Sequence, residues 1–70
     1  MNYGTGRYIV RAQNRRETYR YTNKASAKEM ARTLAVENMK ASVYDDATGA
    51  HWPIATYMRE PSGRIVATAV

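Results

Sequence analysis

Cysteine and phenylalanine are missing from this chain, histidine occurs once, as His51, and proline twice. Without cysteine there is no disulfide and no thiolate metal site. One histidine rules out a multi-histidine metal centre within a single chain. No stretch approaches the roughly 18 apolar residues of a membrane span, and residues 1–7 hold no apolar run that could act as a signal peptide. A cytoplasmic protein is expected, encoded as a complete short gene product, with no cofactor, no metal and no membrane partner. With 70 residues there is room for one domain with a marginal core. Disulfides and metal being excluded, extra stability has to come from packing or from self-association, so a homodimer is an expected partner state.

Acidic residues are scarce and unevenly spread. Residues 1–40 hold nine Lys and Arg against three Glu, a balance of +6, whereas residues 41–70 come to −1. A basic half invites an anionic partner: nucleic acid, an acidic protein surface or a membrane.

What is present reads as an α+β domain in the order β-β-α-β-β-β, an antiparallel sheet with one helix across one face. Residues 1–6 are expected to be loose and residues 7–70 to form the domain. Arg7 to Gln13 alternates, with Tyr8, Val10 and Ala12 on one side and Arg7, Ile9 and Arg11 on the other. Arg16 to Thr22 alternates in the same way, with Tyr19 and Tyr21 opposite Arg16, Thr18 and Arg20. Asn14-Arg15 is a plausible hairpin turn, because Asn tolerates a left-handed backbone. Loops of two or four residues both set Val10 against Tyr19, Tyr8 against Tyr21 and Ile9 against Arg20.

Ser26 followed three residues later by Glu29 has the form of a capping box. The helix should run from there to Asn38 or Met39, with Ala27, Met30, Ala31, Leu34 and Ala35 in one stripe. Three strands are expected after it, at Ala41 to Asp46, His51 to Arg59 and Arg64 to Val70. The turns Asp46-Ala47-Thr48-Gly49 and Glu60-Pro61-Ser62-Gly63 separate them, each with Gly at the left-handed position. Reading through these turns puts Tyr44, Trp52, Ile54, Met58, Val66 and Val70 on one face, taken as the core side with Tyr8, Tyr19 and Tyr21. Val43, Pro53, Ala55, Tyr57, Arg59 and Ile65 fall on the other. Pro53 cannot donate a ladder bond, so a bulge or an edge is expected there.

Catalytic apparatus is not visible, and an enzyme is not expected. His51 could pair with Asp45 across the hairpin, but a nucleophile and an oriented pocket are lacking. Asp45-Asp46 supplies too few oxygens for a calcium loop and suits turn chemistry better. Gly4-Thr5-Gly6 has neither the strand-to-helix context of a dinucleotide loop nor the Lys of a P-loop.

The strongest feature is the basic face of the first hairpin. Arg7, Arg11, Arg16 and Arg20 should project from one side, with Ile9 among them, Arg15 at the tip and Tyr57 sharing the face as an interface anchor. Arg makes bidentate contacts to phosphate and stacks on bases. A solvated outer face is the competing reading, but acids would be mixed into such a face and none is here. Residues 7–38, a basic hairpin leading into an Ala-rich helix, resemble the sheet-plus-helix DNA-binding modules of phage integrases. Those modules place three strands before the helix, whereas two are expected here, so no family is assigned. The compact chain also has the character of a small phage or mobile-element gene product. The expected function is therefore nucleic-acid association through the Arg face. The alternative is a protein-binding module, an inhibitor or adaptor of an acidic partner, or a homodimeric accessory protein.

Overall fold

The computed structural model describes residues 2–3, 6–49 and 52–69. The strands are β1 (Asn2–Tyr3), β2 (Tyr8–Ala12), β3 (Thr18–Tyr21), β4 (Lys40–Asp45), β5 (Pro53–Arg59) and β6 (Ile65–Ala69), and α1 (Lys24–Asn38) lies between β3 and β4. They form one sheet in the order β1-β3-β2-β4-β5-β6. All neighbours are antiparallel except β1, which runs parallel to β3. The chain is thus an α+β fold with one helix packed on one sheet face. The pair Asn2–Tyr3 adds a strand within the segment expected to be loose, of which Met1, Gly4 and Thr5 lie outside the described residues.

The first hairpin has the expected register, with Ile9 opposite Arg20, Val10 opposite Tyr19 and Tyr8 opposite Tyr21. Asn14 sits at φ 66°, the left-handed conformation that Asn tolerates best among residues with a Cβ. The helix begins earlier than the capping box implies. Asn23 is the N-cap, its side-chain oxygen accepting from the N–H of Ala25 at 2.8 Å and of Ser26 at 3.4 Å. Ser26 lies inside the first turn. The extended backbone at Asn23 lets its short side chain reach back to those amides, which Ser26, already helical, does not do. At the other end Met39 leaves the helix at φ 72°.

Both later turns have Gly in the expected left-handed conformation, and the second is the expected three-residue hairpin loop. Gly49 and Gly63 have φ of 87° and 91°, and each donates its N–H to the carbonyl three residues back. The first connection is longer than a tight hairpin, because β5 starts only at Pro53. A bulge between Val43 and Tyr44 lets Tyr44 pair with Pro53, which accommodates a residue with no N–H.

The core lies between α1 and the sheet. Its buried cluster is Val10, Ala12, Ala27, Ala31, Leu34, Ala35, Ala41, Val43 and Ala55, so six of its nine members are Ala. Small residues on both layers let the helix come close to the strands. Tyr8, Tyr19, Tyr21, Met30, Ile54, Tyr57 and Ile65 close the periphery.

In the second half of the chain the helix covers the face opposite to the expected one. Val43 pairs with both Val10 and Ala55, and Ala41 with both Ala12 and Tyr57. That places Val43, Ala55, Tyr57 and Ile65 under the helix. Tyr44, Met58 and Val66 face away from it, Met58 half exposed and Val66 37 % exposed. Trp52, expected in the core, is 78 % exposed. Of the apolar set expected inside, Ile54 does pack against the core, and Val70 lies outside the described residues. An Ala-lined helix demands small partners, and pairing of β4 with β2 puts Val43 and Ala41 there.

Candidate functional site

The sheet face without the helix is built from three cross-strand rows. One runs Arg20, Ile9, Tyr44, Pro53. The next runs Thr18, Arg11, Ser42, Thr56, Thr68. The third runs Lys40, Met58, Val66. No carboxylate occurs in any of them. Ser42 is 7 % exposed and shares a hydrogen bond of 3.2 Å with Thr56, its cross-strand neighbour. Between the first and last rows lies a shallow open depression of about 270 Å³, lined by Arg11, Gln13, Lys40, Ser42 and Tyr44.

The expected Arg cluster is only partly assembled here. Arg11 projects from the middle of β2, is exposed, and has no hydrogen bond or ion pair among the described residues. Arg20 is on the same face but tethered: its Nη1 donates to the Gly6 carbonyl at 3.1 Å and contacts Asp46 Oδ2 at 3.4 Å. The Gly6 carbonyl can sit there because glycine has no Cβ, which would run into the Tyr21 backbone. Arg16 lies in the exposed loop before β3 rather than within the strand, and makes no ion pair among the described residues.

Arg7 and Arg15 are turned away. Arg7 forms a two-pronged pair with Asp45, Nε to Oδ1 at 2.7 Å and Nη2 to Oδ2 at 2.8 Å. Its guanidinium carbon stands 5.5 Å from the Tyr8 ring centroid, within cation–π range. The hydrogen bonds from Arg7 hold the Asp45 carboxyl below its ordinary value of 3.8, against the opposing effect of burial, and the Ala47 amide adds to the lowering. The same pairing raises the Arg7 guanidinium. The contact with His51 proposed for Asp45 lies outside the described residues. Arg15 reaches the end of α1, with Nε to Asn38 Oδ1 at 3.3 Å and Nη2 to Glu37 Oε2 at 3.7 Å.

Ile9 is on the open face yet only 9 % exposed. Its neighbours in the sheet are Arg20 and Tyr44, with Arg7 and Arg11 two residues away along the strand, and the stems of long side chains cover apolar surface in this way. Tyr57 packs against the core on the helix side, so its expected place beside the Arg residues is corrected.

Two contributors were missed. Lys40 falls between the expected helix end at Asn38 or Met39 and the expected strand start at Ala41, but it is the first residue of β4 and stands opposite Met58 on the open face. Tyr44 belongs by alternation to the set expected in the core, and stands on the open face instead. The sign that would have found both is the helix stripe itself, since Ala packs best against the small residues Ala41, Val43 and Ala55.

Among the described residues no group of acidic or histidine side chains is placed to hold a metal ion, and no helix is long and apolar enough to cross a membrane. No family model, curated protein or solved structure matches this chain.

Proposed function

We propose that the protein binds nucleic acid, as a single strand lying across the helix-free sheet face. The observation that carries this reading is the pairing state of the cations. Arg11 and Lys40 line one depression with Tyr44 and Ser42, no carboxylate faces them from the three rows, and neither is engaged by another side chain among the described residues. Arg16 and Arg20 extend the same charge toward β3. Cations without internal partners are the ones free to neutralise phosphate. Tyr44 and Ser42 add a ring on which a base can stack and a hydroxyl for a sugar or phosphate. The helix packs on the other side, so this face offers a sheet surface rather than a helix to enter a groove, which favours an extended strand over a duplex. The reading is of a binding protein rather than an enzyme. Sequence preference should be slight.

The test is titration of labelled single-stranded DNA, RNA and duplex DNA from low to moderate salt. With the three unpaired cations Arg11, Arg16 and Lys40 engaged, log affinity against log salt should slope at about −2 on single strands. If nothing binds more tightly than millimolar at low salt, the reading falls. An acidic protein partner then takes its place, a role that exposed Trp52 and Met58 would suit.

A further inference from the structure

The two edges of the sheet differ. At one edge β3 is covered by the two-residue β1. At the other, β6 has no strand beside it among the described residues, and it contains no charged residue, no Pro and no bulge. Natural edges are usually blunted by one of those devices. We propose that β6 is the seat of a second copy of this chain, which adds its own β6 antiparallel to form one sheet across a two-fold axis at Ala67.

The ladder supports that register. Glu60 donates its N–H to the Arg64 carbonyl at 2.8 Å, so Glu60 and Arg64 form a hydrogen-bonded pair. Pairs alternate along an antiparallel ladder. Arg59–Ile65 is then a non-bonded pair, Met58–Val66 a bonded one, and Tyr57–Ala67 non-bonded again. The amides of Ile65, Ala67 and Ala69 therefore point out of the sheet toward the empty edge. Centred on Ala67, an antiparallel copy sets Ala67 opposite Ala67 and Ile65 opposite Ala69, and each outward amide meets an outward carbonyl. A strand paired with itself is self-complementary, as a two-fold interface requires.

Side chains and charge favour a second copy over an unlike partner. Of the exposed large apolar residues, Met58 and Val66 flank this edge on the open face, and Val36 stands at the same end of the molecule on the helix side. The Val36 carbonyl is held by Arg59 Nη1 at 2.6 Å, and Arg59 is paired with Ile65. The cationic surplus of residues 1–40 lies mainly at the other end of the sheet, on β2, β3 and the loop between them. Two copies joined at β6 keep those charges apart, since this end of the sheet holds only Arg59 and Arg64 against Glu60, a balance of +1.

Sedimentation equilibrium from low micromolar to millimolar protein tests this. The mass should rise from one chain toward two. Ala67→Pro removes one outward N–H without touching the β5–β6 bonds, and Ala67→Lys puts a charge on each side of the axis. Each should weaken association about tenfold or more. Because the proline variant could misfold, circular dichroism of the lysine variant at an exposed site serves as the control. Amide exchange adds a local readout: Ala67 should become protected as concentration rises, while Val66, already bonded to β5, should not. A chain that stays monomeric at millimolar concentration overturns the proposal. So does a dimer that neither variant weakens. Arg11→Gln should leave association unchanged, which separates this result from the nucleic-acid reading.

Discussion

Asn23 and Ser26 stand three residues apart, and only one of them can cap α1. The Asn23 oxygen accepts from two backbone amides, so Asn23→Ala should cost about 1 kcal/mol in chemical denaturation. Ser26→Ala, at an exposed position inside the first turn, should stay within about 0.5 kcal/mol. The reverse order of costs would move the helix start to Ser26. Arg7 and Asp45 make a second prediction at this scale. Folding lowers the Asp45 pKa below its ordinary 3.8, so the native state binds that proton less tightly than the unfolded chain does. The pair's stabilisation is complete above the unfolded value and is lost as pH falls through the native one. Asp45→Asn should therefore lower stability at neutral pH and flatten the acid side of the stability curve. Urea midpoints measured from neutral to acid pH would show it, and an acid limb identical to that of the wild type would contradict it.

The connection between β4 and β5 decides what kind of element the second half of the chain presents. Because β5 begins at Pro53 after a longer loop, Trp52 is carried out of the sheet and is 78 % exposed. Its native fluorescence should be red-shifted and readily quenched, and Trp52→Ala should change stability by no more than about 0.5 kcal/mol. A blue-shifted emission would return Trp52 to the core. The Arg hairpin likewise behaves as an element rather than as a row of equal charges. Arg7 and Arg15 are spent on Asp45 and the helix end, leaving Arg11 to act with Lys40 from the neighbouring strand. Replacing both with Gln should flatten the salt dependence on single strands by about 1 to 1.5. Replacing Arg7 and Arg15 should change it far less, and equal losses from the two pairs would argue for a diffuse charge effect.

At the scale of the whole molecule, a core made mostly of Ala buries little apolar area per residue. Leu34, 2 % exposed, is the largest side chain that α1 contributes to it. Leu34→Ala should cost about 2–5 kcal/mol, enough to unfold a domain with stability at the low end of the usual range. Loss of the cooperative thermal transition is the expected result. A sharp transition only slightly lowered would mean that the core is better filled elsewhere.

Local chemistry accounts for what the sequence determined by itself. Alternation of polar and apolar residues marked the five longer strands, the Gly-containing turns came out at their expected positions, and the 3.6-residue spacing of Ala27, Ala31, Leu34 and Ala35, with half-buried Met30 beside them, placed the core stripe. Even the register of the first hairpin followed, since it depends only on a short loop. Which face of β4, β5 and β6 the helix covers was a tertiary decision. Alternation separates two faces without saying which is inside, and the bulkier set containing Tyr44 and Met58 looked the better core. Pairing β4 with β2 set Val43 beside Val10, under a helix close enough to require small neighbours. The candidate site divides along the same line. Arg11 was visible from its position in an alternating strand, whereas Lys40 and Tyr44 joined it only when β4 docked in that register. Arg7 was withdrawn by Asp45, a residue 38 positions away.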